Sequence, residues 1–293
     1  MLKKENYKGI VGSLANKIKN SLLTKIAAYS LAGSITALSG CGNYKPKIGI
    51  ENIKEFLEEC PTNDPVYEQI RNDFEIRKNG RIVGDVECSE PISQIPTSQY
   101  TDELISLQVL RTIYYMDHGR SNHLPWTTTT SYEWAKEKIG GVNISDNLSG
   151  LAFCCMSFKD RPYIVVPTFG TDREERKHWA PLGLAEIVGL YLHEVRHVDG
   201  FPHVDCGNGW LGCDQDYDEN NLSPIGIIWW LHANWLNGNL YNGFSCLSPD
   251  EAKEIADYHL FSTNRYRDWF VGKKPPISTM PEFPGGICQT PKK

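Results

Sequence analysis

Positive charge is in short supply. The 293 residues carry 30 Lys and Arg against 36 Asp and Glu, a formal net charge of −6. Without a basic excess there is no electrostatic footprint for DNA or RNA, and no nucleic-acid partner is expected. Docking on anionic lipid through a basic patch is excluded on the same ground. Long apolar runs are missing too. The uncharged stretch from 26 to 37 falls well short of the ~20 residues that a bilayer-spanning helix needs. No internal repeat or low-complexity tract is present, which argues against solenoid and fibrous architectures.

What the chain does have is concentrated between residues 193 and 203. His193-Glu194-Val195-Arg196-His197-Val198-Asp199-Gly200-Phe201-Pro202-His203 fills every fixed place of HExxHxxGxxH. On an α-helix, two histidines four residues apart project about 40° out of line and roughly 6 Å apart along the axis, so both imidazoles can meet one ion. Zn²⁺ is the expected cofactor, because it takes neutral imidazole nitrogens and keeps a fourth position open for water at catalytic sites. Glu194 is rotated by about 100° from His193, which places its carboxylate beside that water as a general base. Gly200 can adopt positive φ, end the helix and swing the chain back, so that His203 approaches the same ion from outside the helix. A bare HExxH is a common short pattern, and the added Gly and third His make it specific.

His193, Glu194, His197, Gly200 and His203 resemble the zinc-binding signature of the metzincin metalloproteases. The resemblance covers eleven residues. It implies zinc held by His193, His197 and His203, with Glu194 as catalytic base and a methionine-containing turn beneath the metal. Met280 is the only methionine after His203, and Ser278-Thr279-Met280 resembles the core of that turn. The implied fold is α+β: a twisted mixed sheet packed on the active-site helix, here with a helical C-terminal portion. The implied reaction is endopeptidase hydrolysis of a peptide or protein substrate.

Acidic residues are nearly absent from the first 25 positions, where Lys3, Lys4, Lys8, Lys17, Lys19 and Lys25 face only Glu5. The uncharged stretch follows and ends in Leu38-Ser39-Gly40-Cys41, in the order of an export signal. This tetrapeptide resembles the bacterial lipobox. The resemblance implies removal of residues 1–40, lipidation of Cys41, and an exported, cell-envelope protein anchored to the membrane by acyl chains. Residues 41–50 then read as a tether and 51–293 as the zinc metallopeptidase domain, with 51–100 allowing an N-terminal extension. Without residues 1–40 the chain keeps 24 basic and 35 acidic residues, a net charge of −11. Eight cysteines remain besides Cys41, an even number that fits up to four disulfides in an exported chain. Cys206 and Cys213 are the expected pair after the third histidine; Cys206 as a zinc thiolate is the competing reading.

Asn79-Gly80 between alternating residues 74–83 predicts a hairpin. Helices are predicted from Thr101, with apolar Leu104, Leu107, Leu110 and Ile113, and over 131–139. Residues 151–158 and 163–166 predict a second hairpin leading to the metal helix, with one strand either lining a substrate cleft or internal to the sheet. The metal helix is predicted over 181–198, an apolar helix from Pro224 to Leu236, and another after the Ser248-Pro249-Asp250-Glu251 capping box.

Several readings stay open. Glu219, Glu251 or Glu254 is an alternative third ligand, giving a zinc hydrolase of another architecture. A non-catalytic, lipid-anchored envelope binding protein is a second alternative, although a purely structural metal needs no adjacent base. Asp199 and Asp205 are either solvated loop acids or orienting partners of the histidines. His118, His123, His178, His232 and His259 read as ordinary histidines, and Trp229, Trp230 and Trp235 as part of a buried helix, with a carbohydrate or lipid platform as the alternative.

Overall fold

The computed structural model describes residues 56, 59–86, 88, 101–116, 124–148, 152–168, 183–236 and 249–280, all within the unit Lys47–Lys293. The export signal, Cys41 and the tether lie outside the described residues.

A 3₁₀ turn, Pro61–Asn63, leads into α1, Tyr67–Asp73, and then β1, Glu75–Lys78, and β2, Arg81–Ile82. Asn79 and Gly80 both take positive φ, 50° and 80°, the conformation that a tight two-residue hairpin turn requires. Two helices follow, α2 over Asp102–Met116 and α3 over Ser131–Lys138, before β3, Gly141–Ser145. Thr130 caps α3 by accepting from the Glu133 amide. The second hairpin is β4, Phe153–Phe158, and β5, Arg161–Pro167, turning on Lys159 and Asp160 alone, at φ 52° and 64°.

These strands form one mixed sheet in the order β2-β1-β3-β5-β4. The three central strands run parallel, and β2 and β4 are antiparallel edges. Gly141 opens β3 so close to β1 that a Cβ there would sit 1.9 Å from the Glu75 carbonyl oxygen. Only glycine fits that approach. Among the described residues the architecture is therefore α+β, with a mixed five-stranded sheet and six α-helices.

The remaining helices are α4, Gly183–Val198, α5, Pro224–Leu236, and α6, Pro249–Arg267, with a short β6–β7 ribbon, Val204–Asp205 and Leu211–Cys213, between α4 and α5. On α4, Ile187, Val188, Tyr191, Leu192 and Val195 are buried, an i, i+1, i+4, i+5, i+8 set that forms one apolar face. Tyr191 donates from its hydroxyl to Ser106 of α2 at 2.9 Å or accepts from it. Helix α5 is apolar all round, with Ile225, Ile227, Ile228, Trp229, Leu231 and Trp235 buried. It packs against both α4 and α6, as an all-apolar helix must. Among the described residues no helix is long and apolar enough to cross a membrane.

A polar cluster joins these three helices. Glu186 of α4 accepts from Tyr258 at 3.0 Å and from Tyr266, both on α6. Its carboxylate lies 3.2 Å from His232 Nε2 of α5, without hydrogen-bond alignment. His232 Nδ1 in turn lies 3.0 Å from His259 Nδ1. Burial pushes the Glu186 carboxyl up, but the His232 ring, the Tyr266 hydroxyl and Arg265 outweigh it and hold the pKa at about 2. A folded-state value below the unfolded one gives stability that is present above the ordinary carboxylate range and lost as pH falls toward 2. Glu186→Gln is expected to cost roughly 2–3 kcal/mol at neutral pH and much less near pH ~3. Urea unfolding at the two pH values checks this; an equal loss at both would contradict it.

Candidate metal centre

Three histidines converge at the C-terminal end of α4. His193 and His197 sit one turn apart on the helix. Asp199 and Gly200 donate to the Arg196 and His197 carbonyls, and Gly200 takes φ +85°, which closes the helix and reverses the chain. His203 then returns to the same point. Its Nε2 lies 3.1 Å from His193 Nε2, and His197 Nε2 lies 3.3 Å from His193 Nε2. The ligand atoms of all three fall within 4.8 Å of one another, a group able to hold a metal ion. His203 is thus the third member of that group.

The outward ring nitrogens fix which face of each ring looks inward. His203 Nδ1 lies 3.1 Å from Asp214 Oδ1, and His197 Nδ1 lies 2.5 Å from the Phe201 carbonyl. Donation at Nδ1 leaves the Nε2 lone pair free for an ion. His193 Nδ1 points toward the Pro224 carbonyl at the start of α5 without an aligned hydrogen bond. Burial is the largest cause holding His193 well below, and His197 below, the usual imidazole pKa, with His203 adding to it in both cases. Burial thus favours the neutral ring, the form that coordinates metal.

Glu194 is 3 % exposed, and its Oε1 is 3.9 Å from His193 Nε2. Burial raises its pKa to about 8, against the opposing influence of the Cys154 backbone N–H. That N–H belongs to edge strand β4, which packs along α4.

Asp214 was not visible to sequence reasoning, since nothing in its spacing marks it. It is 2 % exposed. While Oδ1 faces His203, Oδ2 accepts from Ile225 N in the first turn of α5 at 2.7 Å. Its backbone donates to Trp269 O and accepts from Val271 N. Asp214 thus ties the third histidine to two other parts of the fold. Arg196, between the two helical histidines, faces the other way: its guanidinium is stacked between Trp126 and Phe201 at 4.1 and 4.0 Å. It also donates to Leu222 O, Asp199 and Asn221.

Asp199 pairs with Arg196 and Lys138, and Asp205 accepts from the amides of Gly207, Asn208 and Gly209. Neither reaches a histidine ring in these contacts, and the carboxylate beside His203 is that of Asp214. Cys206 and Cys213 are bonded, with Cα atoms 5.2 Å apart, so the Cys206 sulfur is engaged in the ribbon beside His203. Met280 is half-buried at the end of a segment that Asn264 of α6 fastens by exchanging two hydrogen bonds with the Ser278 backbone. His232 and His259 are buried and face each other, while His118, His123 and His178 lie outside the described residues. No family model, curated protein or solved structure matches this chain.

Proposed function

We propose that the chain is a zinc-dependent endopeptidase of metzincin type. The observation that carries this reading is the spacing of the three Nε2 atoms. Nitrogens at three corners of a tetrahedron with Zn–N bonds of ~2.0–2.1 Å stand ~3.3 Å apart, and two of the separations here are 3.1 and 3.3 Å. Three imidazoles suit zinc and leave a fourth position open. Bound zinc would supply Lewis acidity, making a water easier to deprotonate and a carbonyl easier to attack.

The chain's own groups would do the rest. Glu194 takes the proton of the attacking water on a carboxylate oxygen and passes it to the leaving nitrogen. A nearby cation favours the ionised carboxylate and so opposes the effect of burial. Strand β4 is a sheet edge beside α4. An edge strand suits an extended peptide, which brings its own backbone donors and acceptors. Met280 and Gly200 support the site in this reading, Gly200 by turning the chain and Met280 as the counterpart of the family's methionine turn.

The N-terminal pattern supports an exported, cell-envelope protein held to the membrane by acyl chains at Cys41. Release of a Cys41→Ser variant from the membrane fraction is the expected result, and unchanged fractionation would refute the anchor.

The test of the function is metal analysis of the purified chain, coupled to cleavage of a broad peptide library. One zinc per chain and chelator-sensitive cleavage are expected, both lost in His203→Ala. Zinc and cleavage retained by that variant would transfer the third position to a downstream acid. Zinc without any cleavage by the wild type would point to a binding protein.

A further inference from the structure

Two buried histidines take no part in the metal centre. His232 of α5 and His259 of α6 are 0 % and 1 % exposed, walled in by the rings of Trp235, Tyr258 and Tyr266. Solvent does not reach them, so their protons are placed by each other and by the polar groups around them. Those charged and titratable groups are Glu186 from α4 and Tyr258, Tyr266 and Arg265 from α6.

The contact between the two rings limits how many protons they hold. Nδ1 of His232 and Nδ1 of His259 lie 3.0 Å apart, where one nitrogen must donate and the other accept. Nε2 of His232 faces the Glu186 carboxylate at 3.2 Å, and an anion repels a bare lone pair. The neutral pair therefore carries one hydrogen on His232 Nε2, with His259 Nδ1–H donating to His232 Nδ1. A first added proton is accommodated, because one ring becomes an imidazolium, the other still offers a lone pair at the contact, and Glu186 balances the charge. A second is not: it sets two N–H groups against each other and buries two cations beside one carboxylate. Burial is the largest cause holding the His259 pKa well below the imidazole value of 6.5, with His232 adding to it and Glu186 opposing.

The helices that carry the pair both end on one residue. Ile225, in the first turn of α5, donates its amide to Asp214 Oδ2. Just past α6, the Trp269 carbonyl accepts from the Asp214 amide and the Val271 amide donates to the Asp214 carbonyl. We propose that the His232–His259 contact is an acid-released latch between α5 and α6, closed at neutral pH and opened when both rings are protonated, and that its release slackens the hold on Asp214 beside His203. The latch goes beyond the peptidase reading and does not depend on it. A folded-state pKa below the unfolded one gives stability that is present above the ordinary imidazole value and lost as pH falls below it. Glu186 on its own acts toward pH 2, so the two acid responses occupy separate windows.

The test is hydrogen exchange on the full chain, stripped of metal by a chelator and read across the range from pH ~7.5 to ~5, with each rate corrected for intrinsic exchange. Protection over α6 and at the Asp214, Ile225 and Val271 amides should fall by about tenfold per pH unit below pH ~6.5, the slope of one proton taken up on opening, while β3 keeps its protection. His259→Asn keeps a hydrogen-bonding group at the Nδ1 position but does not titrate there, so its α6 should stay protected at the acid end. Glu186→Gln, which loses the anion that balances the first proton, should open at higher pH than the wild type. Equal wild-type protection at both ends of the range, the same acid response in His259→Asn, or an unchanged midpoint in Glu186→Gln overturns the latch. So does release of α6 with the three amides around Asp214 still protected. Metal analysis before stripping supplies one more check: a second ion per chain that His259→Asn loses would make the pair a metal site instead.

Discussion

Glu194→Gln is expected to lower peptide hydrolysis by roughly 10²- to 10⁴-fold, the usual worth of a general base, with metal content unchanged. The two halves of this result come from different features. Glu194 lies outside the histidine group that can hold the ion, so its loss removes no ligand. Glutamine has nearly the same shape and can still accept from the Cys154 N–H, so the buried pocket keeps its packing and its hydrogen bond. It lacks only the capacity to take a proton. Steady-state kinetics and metal analysis on one preparation decide the matter. Near-wild-type kcat in the variant would remove Glu194 from the chemistry, and loss of metal would make it a ligand or a folding residue instead.

The second large effect is expected at Asp214. Asp214→Ala deprives His203 Nδ1 of its acceptor and leaves the Ile225 amide, buried at the start of α5, without its partner. Removing an outer carboxylate from a ligating histidine typically costs about 10- to 100-fold in metal affinity. Abandoning buried donors costs about 1–3 kcal/mol of stability. Both losses are expected together, measured by competition with a chromophoric chelator and by urea unfolding. Asp214→Asn, which keeps a carbonyl oxygen for one of the two donors, should fall between. Unchanged affinity in the alanine variant would show that His203 needs no orienting partner.

The contrast between Glu194 and Asp214 explains how far the sequence can be read. Residues 193–203 form one local unit, and helix spacing alone places His193, Glu194 and His197, with Gly200 as the turn. Local chemistry likewise predicts the Asn79-Gly80 hairpin, α2 from its apolar rhythm and α5 from Pro224 to Leu236, all of which the fold contains. Asp214 acts through contacts with His203, Ile225 and the Trp269–Val271 backbone. No periodicity encodes such a meeting of distant segments. The same holds for the parallel pairing of β1 with β3, and for the Glu186, His232 and His259 cluster, whose members look like isolated polar residues until three helices bring them together. Helix α6 runs on to Arg267, where its last turns carry Tyr266 into the core and onto Glu186, a length that its capping box alone does not set.

Arg196 carries a consequence for the ion itself. Many small zinc folds are built by their metal and collapse without it. Here the two chain segments that frame the histidines are gripped from behind, by a cation held between aromatic faces and by carbonyl and carboxylate acceptors that no metal touches. The pocket is thus a standing vessel rather than a knot tied around its contents, and a chelator is expected to leave the fold intact.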